Sequence, residues 1–445
     1  MRQPDTETLR SESIKLLRDL LRIDTSNPPG GETPAARLLK DYLESAGLEC
    51  ELVARDPARA NLIARISGTG EGPSLAFLGH TDVVPPGAES WDHHPFSGDL
   101  DDEGFIWGRG AVDMKNETAT RAVAMAVLAR SGFSPRGDLV FIAQADEEDG
   151  SEQAGLQWLR DARPDIRCDY SIDEGGGERI ELSDGRVVVP LNIGEKAILP
   201  VTVTALGEAG HASTPEMGAN AVPRLAVLIE RLARYRTRRR LRPETRRLLE
   251  ILVGPFDGNL DDAMGAAVRL HPSFQEELSA LFGTTIAPTR LHGSTARNVM
   301  PARASVECDC RVLPGTTEQE LEEEVRAALG DGVPYELSFP EPPTGGTIAP
   351  IDTPLFDICQ DFLDANDPGA TIVPVISTGF CDSHYMRERF NTVAYGFWPL
   401  RSTPIDVYRA GFHNRNERVH ADDLAYAVRF HLFAAERLLG RDGTA

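Results

Sequence analysis

The chain has 445 residues, 41% of them hydrophobic and 26% charged, and its 46 basic against 69 acidic side chains give a formal net charge of −23. That length predicts more than one compact core, and that charge argues against nucleic acid as a partner. No stretch reaches the roughly 18 consecutive apolar residues of a membrane span, and the opening Met1-Arg2-Gln3-Pro4-Asp5 carries no apolar signal core, so no membrane partner and a cytoplasmic location are expected.

Ile14, Leu17, Leu20 and Leu21 recur at helical spacing and predict an amphipathic helix over 8–22. The turn cluster 24–31 follows, and then Thr33 as cap and Pro34 at the first helical position open a second helix that closes at Gly47. Strands are expected over 48–53, 61–66 and 75–78. The last of these delivers His80 and Asp82 beside Gly79 and Pro85. A neutral imidazole binds a metal through one ring nitrogen, and Asp82 can supply the acceptor that orients the other. A His-x-Asp at a strand end is more often only a hydrogen-bonded loop, so the pair needs support from the rest of the chain.

That support accumulates. Asp113 lies in the turn Gly108-Arg109-Gly110-Ala111-Val112-Asp113, just before an Ala-rich helix over 117–130. A carboxylate there can be an ordinary helix-entry acid favoured by the macrodipole, but two glycines permit a purpose-built turn. A buried strand over 138–145 discharges into Asp146-Glu147-Glu148-Asp149, and Tyr170-Ser171-Ile172 into Asp173-Glu174. The carboxyl ends of strands in an α/β sheet converge on one ligand site. Oxygen and imidazole donors without thiolates suit a hydrolytic zinc, manganese or cobalt centre.

From about Lys196 the texture changes. Val201, Val203 and Ala205 alternate with Thr202 and Thr204 as a one-sided strand, His211 follows in Gly210-His211-Ala212-Ser213, and a helix spans 221–235. In a second such strand, over 305–312, Cys308 and Cys310 share the apolar face with Val306 and Val312, which makes them packing residues. The other cysteines, Cys50, Cys168, Cys359 and Cys381, are scattered, as suits reduced thiols. With a helix over 317–329, these elements predict two helices on a mostly antiparallel sheet, a domain over 196–340. Residues 237–293 read as an embellishment without chemistry, and the arginines between Arg231 and Arg247 as a solvated helix face. The section 341–445 returns to the first texture, with strands over 372–375 and 393–397, the loop Phe412-His413-Asn414-Arg415-Asn416-Glu417, and a final helix over 422–439.

In this order, His80-Thr81-Asp82, Gly108 to Lys115, Glu147-Glu148, Asp173-Glu174-Gly175, Gly210 to Ser213 and His413 to Glu417 resemble the motifs of the dizinc aminoacylase, acetylornithine deacetylase, succinyl-diaminopimelate desuccinylase and carboxypeptidase G family. The resemblance implies an α/β catalytic domain with a mixed, mostly parallel sheet, formed by 1–195 and 341–445 and interrupted by a smaller α+β lid through which a homodimer forms. It implies two Zn2+ per subunit, with Co2+ or Mn2+ as substitutes. His80 and Glu174 would hold one ion, Glu148 and His413 the other, and Asp113 would bridge them. Asp173 remains the alternative to Glu174, and His420 to His413. Glu147 would be the general base, Asp82 the group behind His80, and His211 the oxyanion donor. Arg311, Asn298 and Arg387 would bind the carboxylate of a small substrate, an N-acyl amino acid or a short peptide. The Asp113–Met114 peptide would be cis. The implied reaction is hydrolysis of an amide next to a free carboxylate, with a dipeptidase or carboxypeptidase as the alternative within enzymes and a non-catalytic metal-binding relative as the alternative outside them.

Overall fold

In the computed structural model, which describes residues 4–150 and 153–440, the chain divides into two compact units. One runs through Ile193 and takes in Ala349–Val375 and the chain from Cys381 on; the other is Gly194–Ile348 with Ile376–Phe380.

The first unit is built on a mixed sheet whose strands lie in the order Glu49–Val53, Asn61–Ile66, Leu139–Gln144, Leu75–His80, Tyr170–Asp173, Val393–Gly396, Val187–Glu195 and Ala370–Ser377. The four central strands, Leu139–Gln144 to Val393–Gly396, run parallel, and Asn61–Ile66 and Val187–Glu195 join them antiparallel. Leu75, Phe77 and Leu78 are fully buried, as are Leu139, Val140, Phe141 and Ile142. Strands covered on both faces read as unbroken apolar runs, and each such side chain contributes about 1.5–3 kcal/mol.

One helix explains that burial. Lys115–Arg130 is buried on every side from Lys115 to Leu128, packed among the helices Thr6–Leu21, Thr33–Ser45 and Ala421–Leu439 and the strand Leu75–His80. Its alanines make a closely surrounded helix possible. At Gly79 a Cβ would come within 2.5 Å of Thr118 Oγ1, so strand and helix touch directly behind His80. The second helix does not use Thr33 as its cap. Thr33 Oγ1 donates to the Pro57 carbonyl at 2.8 Å and accepts from the Ala60 amide at 3.0 Å, and Glu32 takes the N-cap position without a capping bond.

The second unit is an antiparallel sheet backed by the helices Ala221–Arg234 and Glu318–Leu329, as expected. Cys308 and Cys310 lie in its core. The 237–293 segment is more than an embellishment. It forms three helices, Pro243–Val253, Leu260–Leu270 and Phe274–Leu281, and then the strand Thr285–His292, which pairs with Arg303–Val312. That strand was hidden because Pro288 and a shifted register interrupt its alternation. The arginine island holds its place through local partners, among them Asp261, Glu320 and the carbonyls of Leu329 and Pro314.

Candidate metal centre

Strand register brings the acids together. His80 lies opposite Gln144, so Glu147 and Glu148 emerge just beyond it, and Phe77 lies opposite Ile172, which sets Glu174 level with Gly79. Three adjacent parallel strands thus end at one point, where such sheets bind ligands. Asp113 arrives from the turn before the buried helix. Gly110, at φ +91°, lets that turn close through a bond from the Lys115 amide to the Gly110 carbonyl. The Asp113–Met114 peptide is cis.

The two oxygens of Asp113 face two different histidines. Oδ1 is 3.1 Å from His80 Nε2, and Oδ2 is 3.2 Å from His413 Nε2. Glu174 Oε2 lies 3.7 Å from His80 Nε2, and Glu148 Oε2 lies 3.0 Å from His413 Nε2. Glu147 Oε2 is 4.0 Å from His80. Potential donor atoms of His80, Asp113 and Glu148, and separately of His80, Glu147 and Glu174, fall within 4.8 Å of one another.

Glu174, and not Asp173, turns toward the histidine. Asp173 is fully buried and accepts from Ser383 Oγ at 2.9 Å. His420 stacks edge-on against Phe105 and lies 3.2 Å from the Glu103 carbonyl. Asp82 departs from expectation in one respect. His80 Nδ1 meets the Asp82 backbone carbonyl at 2.9 Å, whereas the carboxylate oxygen is 3.5 Å away. The carboxylate instead collects the amides of Glu147 and Glu148 and the side chain of Asn27.

Burial and mutual repulsion shift the titrating groups of this cluster. Burial pushes Glu147 well above the ordinary carboxylate range, and the neighbouring Glu174 charge adds to it. Burial raises Glu174 to about 7 and, with the Asp113 charge, raises Glu148. Asp113 and Glu148 raise His413 to about 10. His80 is also raised, because its contacts with Asp113, Asp82 and Glu174 outweigh the burial that opposes them. Buried carboxylates that crowd together repel one another unless positive charge lies among them. Imidazole and carboxylate donors in these quarters fit two divalent cations.

Glu417 was noted in the sequence only as part of a motif, and the structure gives it a part in the site. Its fully buried carboxylate accepts from Arg109 Nη1 at 2.7 Å and from the amides of Gly110, Val112 and Asp113 at 3.0, 2.6 and 3.0 Å. Asn27, Glu32, Arg59 and Asp146 were also missed as site residues. They form a buried polar group beneath Asp82, with Arg59 on Glu32 and Asp146. Isolated polar residues in turns leave no periodic signal.

The candidate substrate residues divide between the units. In the first, Arg387 Nη1 donates to the Ala394 carbonyl at 2.7 Å, and the side chain is buried. In the second, exposed His211 and Asn298 lie on neighbouring chain segments, joined by a bond from the Ala212 amide to the Asn298 carbonyl at 3.0 Å. Arg311 gives Nε and Nη2 to Asp309 at 2.7 and 3.0 Å.

Comparison with known proteins agrees over almost the whole length. The chain is 27% identical to mouse aminoacylase-1 over 421 residues, 92% of this chain and 91% of the relative. It is 28% identical to the succinyl-diaminopimelate desuccinylase of Rhodospirillum centenum over 445 residues, 96% and 97% of the two. Its fold is similar to that of an M20 family metallo-carboxypeptidase from Sulfolobus solfataricus, with a TM-score of 0.70 at 19% identity over 96% of this chain and 99% of that one. Human carnosine dipeptidase 1 aligns with a TM-score of 0.67 at 16% identity, over 98% and 100%. Residues 76–437 match a single family description, and on the breadth of that match the chain belongs to peptidase family M20/M25/M40.

Proposed function

We propose that the chain is a dinuclear zinc hydrolase that removes an acyl group from the nitrogen of an amino acid bearing a free carboxylate. The observation that carries this reading is the two-sided contact of Asp113, one oxygen toward His80 and the other toward His413. His80, Asp113 and Glu174 would hold one cation, and His413, Asp113 and Glu148 the other. Bound there, the cations supply Lewis acidity for the water and the scissile carbonyl. The names of the two relatives, an aminoacylase and a desuccinylase, support deacylation.

Glu147 takes the proton of the attacking water and passes it to the departing amine. His211 stabilises the oxyanion. The Ser213 backbone amide, which can only donate, points to His211 Nδ1 at 3.2 Å, so in the neutral ring the hydrogen sits on Nε2 and is free to be offered. Arg311 and Asn298 bind the substrate carboxylate, and Arg311 keeps its Nη1 outside the pair with Asp309. Arg387, committed to Ala394, is the weakest of the three candidates.

We assign the second unit as the surface of a homodimer. Among the described residues the strand Thr285–His292 is hydrogen-bonded along one edge only, and Leu291, Val222 and Val299 are exposed at 68%, 46% and 44%. An open edge with apolar side chains invites pairing with a second strand. Six cysteines that form no disulfide, five of them buried, support a reducing, cytoplasmic setting. The test is a panel of N-acetyl, N-succinyl and long-chain acyl amino acids and dipeptides, run with and without chelator. Chelator-sensitive turnover of the acylated substrates is expected. An inert cation-loaded protein, or dipeptides as the only substrates, would sink the deacylase reading.

A further inference from the structure

The segment before the second helix is zipped onto the chain that carries His80. Thr25 Oγ1 donates to the Thr81 carbonyl at 2.7 Å, the Asn27 amide to the Val83 carbonyl at 2.8 Å, and the Val83 amide to the Thr25 carbonyl at 3.2 Å. These bonds place the Asn27 side chain, 3% exposed, under the centre. Its single amide nitrogen, Nδ2, donates to Asp82 Oδ2 at 2.9 Å and to Asp146 Oδ1 at 3.1 Å.

The two acids it joins have different jobs. Asp82 stands behind His80 and receives the amides of Glu147 and Glu148 at 3.3 and 3.1 Å. Asp146 adopts φ +60° immediately before Glu147, and its other oxygen accepts from the Ala154 amide at 2.9 Å. A non-glycine residue at positive φ is held there by its surroundings. Arg59 Nη1 lies 3.0 Å from the same Asp146 oxygen that Asn27 reaches, and Arg59 is itself bound to Glu32.

We propose that Asn27 is a positioning residue that ties Asp82, behind the metal ligand His80, to the Asp146 turn that presents Glu147, so that ligand and base keep one geometry. This rests on the reading of His80 as a ligand and Glu147 as the base. The chemistry selects an amide at position 27. An NH2 group carries two hydrogens for two acceptors, and no carboxylate can replace it without opposing both.

That selection separates positioning from packing. Asp has the shape of Asn, so if residue 27 only fills space, Asn27→Asp is milder than Asn27→Ala. If it ties two carboxylates together, Asn27→Asp is the more damaging. In the full-length Co2+-loaded protein, Asn27→Asp is expected to weaken cation binding about 10–100-fold, measured by competition with a chelating dye. It should also change the visible Co2+ spectrum and lower kcat while KM stays within about twofold. Asn27→Ala should lie between it and the parent. Asn27→Ala removes both bonds without adding charge, and it decides the matter if Asn27→Asp does not fold. An Asn27→Asp protein equal to or better than Asn27→Ala, or a folded Asn27→Ala protein with parental cation affinity and Co2+ spectrum, overturns the proposal. His80→Ala is the control, because if it retains both cations the metal-centre reading fails independently of Asn27.

Discussion

Glu417 Oε1 accepts the backbone amide of Asp113 at 3.0 Å, which fastens the loop carrying His413 to the turn carrying the acid between the two histidines. The same carboxylate is paired with Arg109, both side chains at most 2% exposed. Removing one member of a buried pair strands the other. Glu417→Ala is therefore expected to destabilise the metal-free protein by about 3–5 kcal/mol, read from urea unfolding. Glu417→Gln, which keeps the shape, should cost less.

Glu147→Gln separates chemistry from binding. Its kcat should fall by about 10²–10⁴-fold while the cation content, measured by plasma emission, stays at the parental value. His413→Ala should instead lose cation. A Glu147→Gln protein that lost its metal would make that residue a ligand rather than the base.

The pH dependence of the metal-free chain has a defined sign. Glu174 is raised from 4.5 to about 7 by burial, so it binds its proton more tightly folded than unfolded. Its contribution to stability is present below pH 4.5 and is lost as pH rises through 7. His413, raised from 6.5 to about 10 by Asp113 and Glu148, extends the loss from pH 6.5 upward. The melting temperature of the metal-free protein should therefore fall between pH 4.5 and 7, whereas above pH 7 the buried Lys115 and Lys196, lowered by burial to about 8 and about 7, oppose the His413 contribution. Saturating Zn2+ should flatten the curve, and calorimetry at pH 7 should show proton release on binding.

Leu291→Lys tests the homodimer. Placed on the open strand edge, the charge should convert the assembly to monomers in size-exclusion chromatography and leave the melting temperature nearly unchanged, since Leu291 is 68% exposed. If His211 acts across the interface, kcat should fall with dimer content. A fully active monomer would place the oxyanion donor within one chain.

The strands that carry the candidate ligands were legible in the sequence because each is an apolar run ending in a charged or imidazole residue. Leu75 to His80 and Leu139 to Glu148 are the plainest cases. The Ala-rich helix was legible too, although its burial on all sides was not, since alanine spacing carries no face. Asn27 and Glu417 were opaque for a physical reason. Their importance lies in which distant donors and acceptors they meet, and a single polar residue in a turn has no period to betray it. The edge strand Thr285–His292 was missed because a strand with one open side and a proline keeps little of the alternation that marks its neighbour.

The bond between Gly110 and Glu417 spans 307 positions of chain, and the bond between Asn27 and Asp146 spans 119. Contacts of such separation form late, because the intervening chain must be ordered first. The centre is thus a reporter of finished folding. During refolding, tight cation uptake should lag behind the recovery of helical signal, and a chain stalled before its last helix docks would hold His80 and Asp113 but offer a cation no second histidine.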